Sequence, residues 1–207
     1  MAMCYYIFNC YYEYMYKVDQ KYSCIILAGG KGKRVSGQDK GLLEYKHKPL
    51  IRQVIDSVQQ QVDDIVISAN RNIHEYQSLG CSVIPDSDSS YRGPMSGIAS
   101  CLKHCHHDWA LVVACDMPQL PDNLVERLAT GTDCSVISIA ESEGRMQLAF
   151  LINKKISDSL QQALDLGQLR LMQWVRQQAP HTIAFSNAEA FRNLNHLADL
   201  ECSTANN

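Results

Sequence analysis

A short apolar run that leads directly into a loop rich in glycine and lysine constrains this chain more than any other feature. Residues 24–27 read Cys-Ile-Ile-Leu, typical of a buried strand, and residues 29–40 carry four glycines, three lysines and an arginine. Glycines let backbone N–H groups approach an anion, and the cations neutralise its charge. The segment therefore predicts a strand followed by a phosphate-binding loop, with a solvated surface turn as the alternative.

Strand-like runs alternate along the chain with amphipathic helical stretches. The predicted strands are 24–27, 64–68, 81–85, 109–115, 134–140, 148–152 and 182–185. Between them, apolar residues share a helical face within 50–58 and again within 124–128. This alternation predicts an α/β protein with a mostly parallel sheet that helices cover on both faces. Ligands of such sheets bind beyond the carboxyl ends of the strands, where Gly29, Asn70, Asp86 and Asp116 fall.

Length and composition narrow the class of protein. We expect a single domain over residues 22–207, preceded by a poorly structured, tyrosine-rich extension over residues 1–21 with a natural start at Met15. The net charge of -3 argues against a nucleic-acid partner, and no apolar stretch reaches the length of a membrane span. Nine cysteines without a C-x-x-C pair suggest free thiols in a reducing cytoplasm. The Cys101-to-His107 cluster leaves a structural zinc site as an alternative.

Several motifs together resemble one known family. Leu27-Ala28-Gly29-Gly30, Arg34, Gly37 and Asp39-Lys40-Gly41-Leu42 are similar to the signature of nucleotidyltransferases that share the nucleotide-sugar pyrophosphorylase fold. The Asp-Lys-Gly-Leu ending resembles the molybdenum cofactor guanylyltransferases, the MobA family. Residues 93–98, 115–121 and 191–195 resemble further motifs of that family, so the similarity extends over residues 22–200. It implies a Rossmann-like three-layer nucleotidyltransferase fold.

The resemblance also implies an activity and a set of site residues. The expected reaction transfers GMP from GTP to molybdenum-molybdopterin and releases pyrophosphate. The residues expected to act in catalysis are Lys40, Arg34 and Asp116. Those expected to bind GTP are Leu27, Ala28, Gly29, Lys40, Ser68, Asp86 and Asp116. Ser68 stands where the family often has asparagine, and Met146-Gln147 replaces a pair that commonly begins with proline.

Asp116 and Asp86 also invite a chemical interpretation of their own. Asp116 ends a buried apolar run, where a carboxylate is costly unless it is paired, capped or bound to a cation. Mg²⁺ in nucleotide sites takes one or two carboxylates plus phosphates, so we expect Mg²⁺ on Asp116, with a helix N-cap as the alternative. Asp86 can accept hydrogen bonds from guanine N1–H and the 2-amino group, and its alternative is an Asx turn. Lys40 could instead pair with Asp39 on the surface.

The remaining expectations concern the acceptor and the rival functions. Asn193 and Asn195 match the family motif and are expected to bind molybdopterin, with Arg145 and Arg170 as further candidates and loop capping as the alternative. We expect a monomer whose protein partners are molybdoenzymes or their chaperones. The rival functions are a molybdenum cofactor cytidylyltransferase, a sugar-phosphate nucleotidyltransferase, and a non-catalytic module that binds nucleotide or cofactor.

Overall fold

A computed structural model of the protein describes residues 20–29, 38–86 and 93–194. Most of the predicted extension over residues 1–21 lies outside these ranges, and only Gln20 and Lys21 of it are described. Two predicted site residues, Arg34 and Asn195, also lie outside the described residues.

The strands form one large sheet and one small hairpin. Strands β1 to β9 are, in chain order, Tyr22–Leu27, Glu44–Tyr45, Lys48–Pro49, Asp64–Ser68, Ser82–Ile84, Trp109–Ala114, Ile137–Ser142, Arg145–Asn153 and His181–Ala184. Within the described ranges, seven strands form a sheet in the order β5-β4-β1-β6-β8-β7-β9, and β2 pairs with β3 separately. Of those seven strands, β8 alone runs antiparallel to its neighbours. The predicted α/β class with a mostly parallel sheet is therefore confirmed.

Six α-helices and three short 3₁₀ helices connect the described strands. Helices α1 to α6 are Leu50–Val58, Ile73–Gln77, Pro94–Leu102, Leu124–Ala129, Ser157–Asp165 and Leu171–Gln177. The 3₁₀ helices are Lys40–Leu42, Lys154–Ile156 and Ala188–Phe191. Among the described residues, no helix has the length and apolar character that crossing a bilayer requires.

Apolar side chains of the sheet alternate between two cores, one on each face. Ile26 of β1 packs in one core with Val54 of α1, whereas its neighbour Ile25 packs in the other with Ile98 of α3. This alternation follows from the two-residue period of a strand, which sends successive side chains to opposite faces. Helices α1, α2 and α4 cover the first core, and α3, α5 and α6 cover the second. The predicted three-layer arrangement is confirmed.

The structure departs from the predicted strand bounds at two hairpins. Strand β8 begins at Arg145 rather than Leu148, and it follows a tight turn in which Glu143 and Gly144 have φ values of 52° and 71°. Such paired positive φ values suit the twist of a two-residue hairpin. The hairpin of β2 and β3 turns in the same way at Lys46 and His47, with φ values of 51° and 63°. Polar side chains at exposed hairpin ends give no apolar pattern, so sequence periodicity missed these segments.

Candidate active site

Four parallel strands end in the same row of the sheet. The register pairs Leu27 of β1 with Ser68 of β4 and with Ala114 of β6, and it pairs Ser68 with Ile84 of β5. The ladder continues past these ends, because Ala28 N–H donates to the carbonyl of Ser68 at 2.8 Å. The segments that follow the four strands therefore start side by side at the carboxyl edge.

A cavity of about 360 Å³ opens at this edge. All of the residues predicted to bind GTP contribute to its lining, namely Leu27, Ala28, Gly29, Lys40, Ser68, Asp86 and Asp116. Gly93 and Pro94, at the start of α3, complete one side, and Leu148 of β8 contributes an apolar wall. A larger depression of about 710 Å³ lies at the other end of β1, beside Tyr22, Asp63 and Glu126, and contains none of the predicted site residues. The predicted chemistry therefore belongs to the smaller cavity.

An ion pair joins two of the three described charged residues that line the cavity, Lys40 and Asp116. The Lys40 ammonium donates a short hydrogen bond to Asp116 Oδ2, and the Asp116 residue is only 8% exposed. The pairing meets the requirement that a buried carboxylate have a cationic partner. The N-cap alternative for Asp116 is wrong, because the next α-helix begins at Leu124 with Asn123 as its cap.

Buried contacts on both sides of Lys40 hold its backbone in place. The carboxylate of Asp39 accepts hydrogen bonds from Tyr76 Oη at 2.5 Å and Asn72 Nδ2 at 3.1 Å. Burial, followed by the neighbouring Cys115 and Asp39, raises the pKa of Tyr76 far above its usual range, so its hydroxyl stays protonated and donates. A Cβ on Gly41 would lie 2.6 Å from Tyr76 Oη, closer than side-chain atoms pack. Lys40 is therefore presented from a rigid turn.

A second pair of side chains holds Asp86 at the cavity wall. Asn70 Nδ2 donates to Asp86 Oδ2 at 2.9 Å, and the Asp86 backbone N–H donates to Asn70 Oδ1 at 2.8 Å. Ser68 is buried beneath them, and a Cβ on Gly97 of α3 would lie 2.3 Å from Ser68 Oγ. The sequence pattern did not predict the contact between Asn70 and Asp86. The contact joins the loops after β4 and β5, and it forms only because these two strands are neighbours in the sheet.

Of the described residues expected to bind molybdopterin, Asn193 lies next to a residue bonded to the cavity lining, whereas Arg145 and Arg170 lie outside that lining. Asn193 is exposed, and the next residue, Leu194, donates its N–H to the carbonyl of Asp116 at 3.0 Å. The segment that carries Asn193 therefore docks beside the ion pair. Arg145 lies at the exposed start of β8, and Arg170 precedes α6 beside a separate cavity of about 210 Å³. The structure brings Asn193 towards the site and leaves both arginines outside the cavity lining.

The alternative zinc cluster does not assemble. Cys101 and Cys105 are buried free thiols, and burial raises the pKa of Cys105 to about 11. The side chains of His106 and His107 instead lie within 4.0 Å of carboxylate oxygens of Asp64. Across the described ranges, no group of three or more histidine, cysteine, aspartate or glutamate side chains is arranged to hold a metal ion. Among the described residues, a cation in the candidate cavity would therefore meet at most the two carboxylates that line it, those of Asp86 and Asp116.

The fold is shared with solved structures of nucleotide-handling enzymes. A nucleotidyl transferase from Methanothermobacter thermautotroptrophicus matches with a TM-score of 0.70 and 18% identity, over 86% of this chain and 94% of that one. The molybdopterin-guanine dinucleotide biosynthesis protein A from Archaeoglobus fulgidus matches with a TM-score of 0.69 and 20% identity, over 88% of this chain and 99% of that one. The architecture is thus that of the nucleotidyltransferases.

Sequence comparison identifies the family within this class. The family model of the MobA-like NTP transferase domain matches residues 24–182. The chain is also 36% identical over 181 residues to a molybdenum cofactor guanylyltransferase from Shewanella putrefaciens, over 84% of this chain and 92% of that protein. The chain belongs to the MobA-like NTP transferase family, and the resemblance drawn from its motifs is confirmed.

Proposed function

We propose that this protein transfers GMP from GTP to molybdenum-molybdopterin, giving molybdopterin guanine dinucleotide and pyrophosphate. The observation that carries the proposal is the single cavity that contains every residue predicted to bind GTP, in a chain of the MobA-like family. A cavity of about 360 Å³ lies within the range of small-molecule sites.

The transfer requires positioning and charge neutralisation more than covalent help from the protein. A terminal phosphate oxygen of molybdopterin attacks the α-phosphorus of GTP, a new P–O bond forms, and the bond to the β-phosphate breaks to release pyrophosphate. Lys40 supplies positive charge from its rigid turn to the triphosphate, and Arg34 is proposed to share the charge of the leaving group. Such fixed charges act in the transition state without reorganising, which is the main contribution of protein groups to phosphoryl transfer.

The carboxylate of Asp116 suits a magnesium ion. It is a hard oxygen donor in a half-enclosed cavity, and a single carboxylate plus phosphates is how nucleotide sites commonly hold Mg²⁺. When bound, the ion would neutralise negative charge on the phosphates. Because Lys40 pairs with the same carboxylate, a cation at Asp116 competes with Lys40. Triphosphate oxygens offer Lys40 a replacement partner, so we expect metal and nucleotide to bind together.

Base selection is assigned to Asp86. An ionised carboxylate accepts hydrogen bonds and donates none, which matches the adjacent N1–H and 2-amino donors of guanine. Cytosine presents one exocyclic amine beside acceptor atoms, so the same carboxylate disfavours CTP. Ser68 is buried next to this position and has a shorter reach than the asparagine that the family often carries, so we assign it a supporting contact.

The acceptor and the cellular setting complete the proposal. Asn193 and Asn195 are assigned to molybdopterin. The hydrogen bond from Leu194 N–H to the Asp116 carbonyl supports the assignment of Asn193, the residue before it, whereas Asn195 lies outside the described residues. Buried free cysteines such as Cys24, whose pKa burial raises well above its usual value, suit a cytoplasmic protein. We further propose a monomer that delivers its product to molybdoenzymes or their chaperones.

The direct test supplies purified protein with Mg²⁺, molybdenum-molybdopterin and GTP labelled at the α-phosphate. The proposal expects label in molybdopterin guanine dinucleotide and release of one pyrophosphate per transfer. Asp116→Asn, which keeps the side-chain size but removes the charge, should form no labelled dinucleotide. If the parent protein binds GTP without transferring label, the non-catalytic module replaces this proposal.

A further inference from the structure

The strand that precedes Asp86 restrains the backbone at this residue only weakly. Asp86 follows β5, which has only three residues and lies at the edge of the sheet. An edge strand is paired on one side only, so the ladder restrains the segment after it less than a central strand would. A carboxylate that reads two adjacent donors on a base must nevertheless be held within about 0.5 Å and 10–20° of the productive geometry.

The side chain of Asn70 restrains Asp86 through two hydrogen bonds. Its amide donates to Asp86 Oδ2 at 2.9 Å and accepts from the Asp86 backbone N–H at 2.8 Å, so it binds side chain and main chain together. These contacts need a donor and an acceptor at the two ends of one short planar group. Asparagine offers both, whereas ionised aspartate cannot donate, and the apolar side chain of leucine does neither.

Asn70 is itself held firmly. It follows β4, an inner strand of the sheet, and Ala69 N–H donates to the carbonyl of Ile84 at 3.2 Å, which ties the two loops together. On the opposite side, a Cβ added to Gly29 would lie 3.3 Å from Asn70 Nδ2. The phosphate-loop glycine and the amide thus pack directly against each other.

We propose that Asn70 is a positioning residue that sets guanine selectivity by fixing the orientation of the Asp86 carboxylate. This inference rests on the proposed function, because it assumes that Asp86 reads the base. Hypoxanthine lacks only the 2-amino group of guanine, so ITP isolates one of the two hydrogen bonds. A hydrogen bond to a charged group corresponds to an affinity ratio of about 10- to 100-fold between GTP and ITP.

The test measures Kd for GTP, ITP and tripolyphosphate with Mg²⁺ by calorimetry, in the full chain. The parent protein should prefer GTP to ITP by about 10- to 100-fold. In Asn70→Ala the ratio should fall to within about threefold of unity through loss of GTP affinity, while tripolyphosphate affinity stays within about threefold of the parent value. Asn70→Asp, which keeps the size but loses the donor, should reduce the same ratio and serves if the alanine variant does not fold.

A matched control separates selectivity from stability. Asn153 accepts a hydrogen bond from the Lys155 backbone N–H at 3.0 Å, and it pairs with Trp109 at the start of β6, at the end of the parallel strands away from the cavity. Asn153→Ala should therefore lower the melting temperature without changing the ratio of GTP to ITP affinity. If both Asn70 variants keep the parent ratio, the inference is overturned and the proposed function survives. Failure of the base assignment on which the inference rests would instead appear in the parent protein, which would then bind GTP no more tightly than ITP.

Discussion

Replacing Gly97 by alanine should disturb the nucleotide site, because the added methyl group would push on Ser68, which lines the cavity. Gly97 lies on the buried face of α3, and an added Cβ would come within 2.3 Å of Ser68 Oγ, 3.2 Å of Ser68 Cβ and 3.4 Å of Asp86 Oδ1. The serine hydroxyl therefore has to move. Because Ser68 and Asp86 both line the cavity, the displacement reaches the groups assigned to the base.

The expected cost in stability is modest. Overpacking a filled interior costs roughly 1–3 kcal/mol, and alanine regains about 1 kcal/mol over glycine inside a helix. The net loss is about 0–2 kcal/mol, which lowers the melting temperature of a chain of this length by up to about 8 °C. Disturbing one hydrogen bond to a charged group should weaken GTP binding by roughly 10-fold or more.

Gly131→Ala is the matched control for this substitution. Its added Cβ would lie 2.5 Å from Ser138 Oγ and 3.2 Å from Ser138 Cβ, almost the same overlap with a serine, but at the start of β7 and outside the lining of the site cavity. Gly131 lies outside a helix and its added Cβ would also lie 2.7 Å from His181 Cδ2, so Gly131→Ala should lose at least as much stability by thermal unfolding as Gly97→Ala. Calorimetric titration with GTP and Mg²⁺ should separate the two variants, because only Gly97→Ala should lose GTP affinity. Unchanged GTP affinity in Gly97→Ala, or an equal loss in Gly131→Ala, would refute the placement of the site.

Three further outcomes are expected. Tyr76→Phe removes a donor from the buried Asp39 carboxylate, which should cost roughly 1–3 kcal/mol by thermal unfolding; an unchanged melting temperature would show that this contact contributes nothing. Burial raises the pKa of Cys105 from 9.0 to about 11, so its neutral thiol favours the folded state below pH 9, and that stability should decline as the pH rises from 9 to 11. A Cys105→Ala variant should therefore lose less stability over this pH range than the parent protein. An identical loss in both proteins would show that Cys105 does not cause the decline. At pH 8, peptide mapping after iodoacetamide treatment should find exposed Cys134 alkylated and Cys105 intact, and comparable labelling would overturn the burial.

The sequence predicted those parts of the site that come directly after the ends of strands. In a parallel sheet the carboxyl ends of neighbouring strands meet at one edge, so Gly29, Asp86 and Asp116 could be brought together without knowing the strand order. The register then aligns the last residues of their strands in one row. The local apolar pattern was therefore enough to place these three residues in the cavity lining, whereas Lys40 was assigned to it through the family resemblance.

Contacts between loops could not be predicted in this way. The bonds of Asn70 to Asp86 depend on β4 lying next to β5, and those of Asp39 to Tyr76 depend on where α2 packs. Neither follows from spacing along the chain, because each joins residues on separate elements. Gly97 could be recognised as a motif residue, but the reason that it must be glycine appears only when Ser68 is seen behind it.

We propose that this cavity transfers a guanylyl group and selects guanine through Asp86. The measurement that tests it most directly compares kcat/KM for GTP and CTP with molybdenum-molybdopterin and Mg²⁺. A site built on paired hydrogen bonds can reject a base that lacks the matching donors by roughly 10⁴-fold, so we expect a strong preference for GTP. A preference for CTP would contradict the guanylyltransferase and make the cytidylyltransferase the better description of this protein.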